Sequence, residues 1–146
     1  MSLDNLVGKT LEKTEADGFA IRKLLSAAKR NIADAHVMAI SSENRFDAAY
    51  KAIMQLSNAA LQANGYRTLT SKPGHHMTMI QVLSQTIGLE SSTIIVLDAL
   101  RKQRNVADYS GDMIPPSTVD ECVKHAELLL HNVTEWMKKN KAELLD

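Results

Sequence analysis

The spacing of the apolar residues constrains the fold of this chain more than any other feature of its sequence. Leu, Ile, Val, Ala and Met recur every three or four positions through most of the 146 residues, which places them on one face of an α-helix. A half-buried strand would instead need apolar and polar residues in strict alternation. The spacing predicts helices over residues 4–16, 17–39, 45–64, 77–87, 91–109 and 117–137.

Capping residues and helix breakers separate these segments. The two serines and the asparagine of residues 41–44 are suited to N-caps, because their side chains accept hydrogen bonds from the free N–H groups of a first helical turn. Gly65 suits the left-handed position after a helix, and Ser117, with an acidic residue three positions later, resembles a capping arrangement. Gly and Pro predict loops over residues 66–74 and 108–117.

The same pattern determines the predicted fold class. No long stretch alternates between apolar and polar residues, and although residues 94–97 could be read as a strand, no partner strand is visible. Aromatic residues are only 4% of the chain, and small and straight-chain apolar residues suit helices. We predict a single all-α domain over residues 1–146, an antiparallel four- to five-helix up-and-down bundle. Residues 1–16 would form a short additional N-terminal helix.

Charge and cysteine content narrow the possible environments. Seventeen basic and 17 acidic residues give a formal net charge of zero, which argues against a protein whose main task is to coat nucleic acid or an anionic membrane. Cys122 is the only cysteine, so no internal disulfide can form and a reducing cytoplasm is expected. We recognise no signal peptide, and no run of about 18 apolar residues that would span a membrane.

Motifs for metal, cofactor or nucleophilic chemistry are missing from the sequence. His75 and His76 are adjacent, and His125 and His131 are six positions apart, so neither pair shares one face of a helix. There is no P-loop, dinucleotide fingerprint or nucleophile elbow, and Cys122 lies in a helical run where a buried apolar role is favoured. We therefore predict neither a metal site nor a cofactor.

One polar arc on the fifth predicted helix departs from the apolar pattern. At about 100° per residue, Leu97, Arg101, Arg104 and Asp108 fall within about 60° of one another. The remaining apolar residues of this segment fall on a different arc, which can face the core. We refer to Arg101, Arg104 and Asp108 as the arginine arc.

Two interpretations of the arginine arc are open. In the first, it is a solvated face on which pairs such as Asp98–Arg101 and Arg101–Asn105 add about a few tenths of a kcal/mol. In the second, it is a phosphate-binding site, because two arginines one turn apart present rigid donor groups suited to phosphate oxygens. Asn105 and the Tyr109 hydroxyl would then orient the same ligand.

Three segments together resemble the HEPN superfamily (higher eukaryotes and prokaryotes nucleotide-binding domains). These are residues 43–53 (ENRFDAAYKAI), residues 71–76 (SKPGHH) and residues 101–109 (RKQRNVADY), and their order and spacing cover roughly residues 20–140. The resemblance implies a four- to five-helix bundle that usually dimerises. In such dimers the arginine motifs of the two subunits face a shared cleft.

The resemblance also implies an activity. Many HEPN proteins are metal-independent ribonucleases, often toxins paired with a small nucleotidyltransferase-like antitoxin. Their motif is an arginine, commonly followed by a polar residue, with a histidine five positions after the arginine. Arg104 and Asn105 match the first two positions, but Tyr109 stands where the histidine is expected. Tyrosine has a reference pKa of about 10 and is a poor proton acceptor at neutral pH.

Three hypotheses follow from these observations. In the first, the chain binds RNA or a nucleotide as a homodimer with little or no catalysis. In the second, it is a metal-independent endoribonuclease toxin in which His75 or His76 replaces the missing base. In the third, it is a helical interaction partner of a nucleotidyltransferase, and the arginine arc only makes salt bridges. The candidate catalytic residues are Arg104, Asn105 and Tyr109, and the candidate ligand-binding residues are Arg101, Arg104, Asp108, His75 and His76.

Overall fold

A computed structural model describes residues 2–71 and 74–146. This part of the chain is mostly helical, as the apolar spacing predicts, and it contains one small sheet. None of its helices is both long and apolar enough to cross a membrane. The elements are α1 (Gly18–Ala35), α2 (Ser42–Ala63), α3 (His75–Gln81), α4 (Leu83–Thr86), α5 (Ser91–Ser110) and α6 (Pro116–Asn140), the strands β1 (Leu11–Lys13) and β2 (Tyr66–Thr68), and 3-10 turns at Leu3–Leu6 and Ala142–Leu145.

Local capping chemistry determines where the two long N-terminal helices begin. The Asp17 carboxylate accepts hydrogen bonds from the backbone N–H groups of Phe19, at 3.0 Å, and Ala20, at 3.4 Å. The Ser41 hydroxyl accepts one from the N–H of Asn44 at 3.2 Å. After α2 the backbone turns at Gly65, whose φ of 87° is in the left-handed region that favours glycine. The predicted caps at Asp17 and Ser41 and the turn at Gly65 are confirmed, but α1 ends at Ala35 rather than at residue 39, and α2 begins at Ser42 rather than at residue 45.

The start of α6 differs from its prediction. The helix begins at Pro116, one residue before the predicted cap, so Ser117 lies inside the first turn. Proline suits this first position because its ring presets the helical φ and the missing N–H would have no partner there. At the other end of the preceding loop, α5 continues to Ser110, and Gly111 ends it with a φ of 71°. The predicted loop over residues 108–117 is therefore shorter than expected.

The helix predicted over residues 4–16 is wrong. A 3-10 turn is followed by Gly8, with a φ of 86°, and then by β1, which pairs antiparallel with β2 in the register Leu11 to Thr68. The predicted loop over residues 66–74 accordingly contains a strand at its start, while its Lys72 and Pro73 lie outside the described residues. Strands of three residues are too short to show alternation, and their partner lies more than fifty positions away.

The segment predicted as one helix over residues 77–87 is two short helices. Helix α3 begins at His75, directly after Gly74, and the chain leaves helical geometry at Val82 before α4 starts. The alternative reading of residues 94–97 as a strand is wrong, because they lie within α5.

Helix α2 is the centre of the fold. It contacts every other α-helix, and 13 of its 22 residues are buried. Arg45 is among them, and its Nε donates a 2.7 Å hydrogen bond to the carbonyl oxygen of Ala35 at the end of α1. Cys122 of α6 is fully buried beside this helix. Four polar residues of α2, namely Asp47, Lys51, Gln55 and Asn58, line the side that α3 and α5 approach.

Candidate functional site

A cleft of about 510 Å³ lies between α2, α3 and the second half of α5. Its α2 wall consists of side chains three or four positions apart, which share one face of the helix. The volume is within the range of small-molecule sites in proteins. The cleft is lined by Asp47, Tyr50, Lys51, Met54, Gln55, Asn58, His75, His76, Met79 and Arg104.

Tyr50 connects the α2 and α3 walls of the cleft. Its hydroxyl lies 3.2 Å from Nδ1 of His76, and only 3% of the residue is exposed. Burial raises the pKa of Tyr50 to about 12, against the opposing effect of the nearby arginines. The phenol therefore keeps its proton at neutral pH. Either it donates to a bare Nδ1, or its oxygen accepts a hydrogen bond from a protonated Nδ1.

Arg104 reaches the same place from α5. The centre of its guanidinium lies 5.3 Å from the centroid of the Tyr50 ring, a distance typical of a cation–π contact. In the described part of the chain its only ion pair is with Asp108, one turn further along, at 3.3 Å from Nε. The side chain is 35% exposed. The guanidinium is thus held in place by the ring while solvent, or a ligand, can still reach it.

The charges around the cleft change the acidity of two of its side chains. Burial lowers the pKa of His76, and the neighbouring His75 and Arg104 side chains lower it further, so the His76 imidazole is neutral at pH 7. At the rim, partial desolvation raises the pKa of Asp47, and the nearby carboxylate of Asp108 adds to this effect. Arg104 acts on Asp47 in the opposite direction.

His75 contributes an unsatisfied polar atom. Its Nδ1 is buried and has no hydrogen-bond partner among the described residues. The ring packs edge-on against that of His76, with centroids 5.0 Å apart. A buried polar atom without a partner costs roughly 1–3 kcal/mol, and such atoms in proteins call for an explanation, such as a ligand or a water.

The arginine arc divides into two parts in the structure. Arg104 lines the cleft, with Asp108 beside it. Arg101 does not line it: its Nε donates a 2.8 Å hydrogen bond to Asp98, which also pairs with Lys102. The Arg101 hydrogen bond lowers the pKa of Asp98, and the Arg101 side chain is 16% exposed. For Arg101, the salt-bridge interpretation describes the observed contacts.

The two other candidate residues on α5 lie away from the cleft of the single chain. Tyr109 is 94% exposed and Asn105 is exposed as well. They follow Arg104 by five and one positions, which turns them about 140° and 100° away from it around the helix. By contrast, His75 and His76, far from Arg104 in the sequence, share its cleft.

Sequence reasoning did not assign Asp47 and Tyr50 to the site. Both lie in the segment that carries the HEPN resemblance, yet neither was singled out. One signal was available: Asp47, Lys51 and Asn58 form a polar stripe at helical spacing on a helix that is otherwise rich in apolar residues. A polar stripe on a central helix indicates either a solvent-exposed groove or a site.

The cleft combines three kinds of functional group. A neutral imidazole can accept a proton, a guanidinium can bind phosphate oxygens through paired hydrogen bonds, and a carboxyl of raised pKa lies at the rim. In residues 2–71 and 74–146, no three His, Cys, Asp or Glu side chains are grouped so that they could hold a metal ion.

Comparison with known proteins adds no assignment. No family model matches the chain, and no curated protein is significantly similar to it.

Proposed function

We propose that the cleft between α2, α3 and α5 binds the phosphate group of RNA or of a nucleotide, and that Arg104 is its anion contact. The observation that carries this proposal is the convergence of Arg104, His75 and His76 on one cleft. The guanidinium is supported by the Tyr50 ring and is still accessible. The guanidinium donor fork matches the geometry of phosphate oxygens.

The resemblance supplies the rest of this proposal. A HEPN-like domain would be an antiparallel helical bundle that forms a homodimer, in a toxin–antitoxin or nucleotidyltransferase-associated system. The outer face of α5 supports a dimer, because Val106 and Tyr109 lie about one helical turn apart and are 59% and 94% exposed. Met113, in the loop after α5, is 79% exposed. Asn105 and Tyr109 lie away from the cleft of their own chain, so they would contribute to the site only in such a dimer.

An RNA-binding assay tests the phosphate contact. Labelled transfer RNA and a mixed-sequence RNA are titrated with protein in a gel-shift experiment at low salt, with a chelator present. Arg104→Ala should weaken binding by roughly 10- to 100-fold, because a hydrogen bond to a charged group contributes about 1.5–3 kcal/mol. Arg104→Lys should retain part of the affinity, since it keeps the charge but loses the donor fork.

A matched control removes the same charge elsewhere. Arg30→Ala replaces an exposed arginine of α1, which does not line the cleft, so its affinity should stay within about twofold of the unmodified protein. If Arg30→Ala and Arg104→Ala weaken RNA binding equally, the affinity depends only on the overall charge of the protein and not on the cleft. No binding at low salt, where phosphate contacts are strongest, would favour the third hypothesis, a partner of a nucleotidyltransferase.

One observation favours catalysis as a second candidate function. His76 is neutral at pH 7 and lies in the cleft of Arg104, so an imidazole is present although Tyr109 occupies the motif position. The imidazole could take the proton of a ribose 2′-hydroxyl while the 2′-oxygen bonds to phosphorus and the bond to the 5′-oxygen breaks. Water would protonate that leaving oxygen, and Arg104 would stabilise the charge on the phosphoryl oxygens.

The position of Tyr50 restricts how His76 can act. For Nε2 to accept a proton, Nδ1 must carry a hydrogen and donate it to the Tyr50 oxygen. This candidate would be supported by RNA cleavage in the presence of a chelator that gives products ending in a cyclic phosphate. The His76→Ala variant should lose this cleavage. Cleavage that survives in both His75→Ala and His76→Ala would exclude it.

A further inference from the structure

The two ends of the cleft differ in chemistry. Arg104 lies beside Tyr50, whereas Gln55 and Asn58 line the cleft further along α2. At 1.5 Å per residue, Tyr50 and Asn58 are separated by roughly 12 Å along the helix axis. This length accommodates one nucleotide, with its phosphate at Arg104 and its base at the end lined by the amides.

Both amides present hydrogen-bond donors to that end of the cleft. Nδ2 of Asn31 donates to Oε1 of Gln55 at 2.8 Å, and Nε2 of Gln62 donates to Oδ1 of Asn58 at 3.1 Å. The oxygens of Gln55 and Asn58 are therefore engaged within the protein. Their NH₂ groups have no hydrogen-bond acceptor among the described residues.

Two methionines give the same region an apolar surface. Met54 of α2 and Met79 of α3 line the cleft from opposite walls, and each is 7% exposed. Thioether side chains are polarizable and make favourable contacts with aromatic rings. A planar base could pack on these side chains while its edge faces the amides.

We infer that this end of the cleft is a nucleobase subsite that prefers the keto bases uracil and guanine to the amino bases cytosine and adenine. The NH₂ groups of Gln55 and Asn58 can donate to O4 of uracil or O6 of guanine. On cytosine and adenine, an amino group stands at the corresponding position and would face these donors without an acceptor. The inference rests on the proposed phosphate contact of Arg104, which orients the nucleotide along α2.

Calorimetric titration of the full chain with UMP, CMP, GMP and AMP tests the preference. UMP and CMP differ only in the keto or amino substituent at C4 and in the protonation of the neighbouring ring nitrogen. GMP and AMP differ in the same way at C6 and N1, and guanine carries an additional 2-amino group, so the pyrimidine pair is the stricter comparison. We expect UMP to bind about tenfold more tightly than CMP, and GMP about tenfold more tightly than AMP, because a site built to donate hydrogen bonds rejects a ligand that leaves its donors unpaired. Inorganic phosphate alone should bind more weakly than UMP.

Tetrauridylate and tetracytidylate distinguish a free nucleotide from an RNA strand. Tighter binding of tetrauridylate than of UMP, with the same preference over tetracytidylate, would identify the ligand as single-stranded RNA. Equal binding of tetrauridylate and UMP would identify it as a single nucleotide unit. Both results support the base subsite.

Two variants examine the amides directly. Asn58→Asp replaces the donor by an acceptor of the same shape, so the UMP-to-CMP affinity ratio should fall to about one or invert. Asn132→Asp adds the same charge to an exposed position on α6 and should leave the ratio unchanged. Gln55→Glu provides the same donor-to-acceptor change if Asn58→Asp does not fold, as judged by circular dichroism.

The failures of the two proposals have different signatures. Equal affinities for all four nucleotides, still lost in Arg104→Ala, would overturn the base subsite and leave the phosphate contact intact. A keto preference that persists unchanged in both Asn58→Asp and Gln55→Glu would overturn the role of the amides. The absence of any nucleotide or oligonucleotide binding at low salt would overturn the phosphate proposal itself, and the base subsite with it.

Discussion

The hydroxyl and the ring of Tyr50 should contribute separately to the cleft, and two substitutions can distinguish them. Tyr50→Phe removes only the hydroxyl, and with it the 3.2 Å hydrogen bond to His76. A hydrogen bond between neutral groups contributes about 1 kcal/mol to stability. For a chain of this size, a loss of about 1 kcal/mol lowers the melting temperature by roughly 3 °C.

Tyr50→Leu removes the ring as well. The ring stacks on Phe46 at a centroid distance of 6.4 Å and supports Arg104 at 5.3 Å, contacts that contribute about 0.5–1.5 kcal/mol each. The loss of buried volume adds to this. We expect Tyr50→Leu to lower the free energy of unfolding by about 3–4 kcal/mol. It should also weaken RNA binding, because Arg104 loses its support, whereas Tyr50→Phe should leave affinity within about twofold.

Urea unfolding followed by circular dichroism measures both stability changes, and the gel-shift assay measures both affinities. The informative quantity is the difference between the two variants. If Tyr50→Phe and Tyr50→Leu lower the free energy of unfolding by the same amount, the ring contacts with Phe46 and Arg104 contribute no stability, and the inference drawn from their distances is refuted. If Tyr50→Phe abolished RNA binding while the protein stayed folded, the hydroxyl would contact the ligand, and the supporting role assigned to the ring would be wrong.

Three further predictions concern the scaffold and its pH dependence. Arg45→Met leaves the Ala35 carbonyl without its buried donor and should cost about 2–3 kcal/mol in urea unfolding, whereas Asp120→Asn, which loses only an exposed contact at 4.0 Å, should cost less than about 0.5 kcal/mol. Asp17→Ala removes the α1 cap and should cost about 1 kcal/mol; no change would contradict the capping role. The pKa of His76 is lower in the folded chain than its reference of 6.5. The unfolded chain therefore binds more protons just below pH 6.5, and the free energy of unfolding should decrease as the pH is lowered through this range. His76→Gln should flatten this decline between pH 7 and 5, and an unchanged slope would show that other groups cause it.

Features that depend on neighbouring residues were predictable from the sequence. The caps at Asp17 and Ser41 act within two or three residues, and the turn at Gly65 requires only a backbone conformation that glycine adopts easily. Amphipathic spacing identified the long helices for the same reason, because the period of a helix is a local property.

Features that depend on distant residues were not predictable in this way. The pairing of Leu11 with Thr68 converts a predicted helix into a strand, because the backbone groups of residues 11–13 find partners that no local pattern reveals. The predicted helix is also interrupted at Val82, where no proline or glycine indicates a break in the sequence. In the structure, β2, α3 and α4 all contact α2, so these features form together with tertiary contacts.

The candidate site shows the same division. The sequence alone pointed to Arg104 and to the two neighbouring histidines, and it left open whether Arg101 binds phosphate or makes a salt bridge. The tertiary structure places Arg101 against Asp98 and leaves Tyr109 exposed. It also adds Tyr50, whose ring contacts Arg104 and whose hydroxyl contacts His76.

By itself, then, the sequence determined the helical class, the N-caps of the two long N-terminal helices and the arginine on which the proposed function depends. These follow from residue type and from spacing within a few turns of one helix. Only the tertiary structure decided which polar side chains share a cleft, because Asp47, His76 and Arg104 lie on three different helices. Their proximity results from the packing of α3 and α5 against the buried helix α2, and packing is a property of the whole chain.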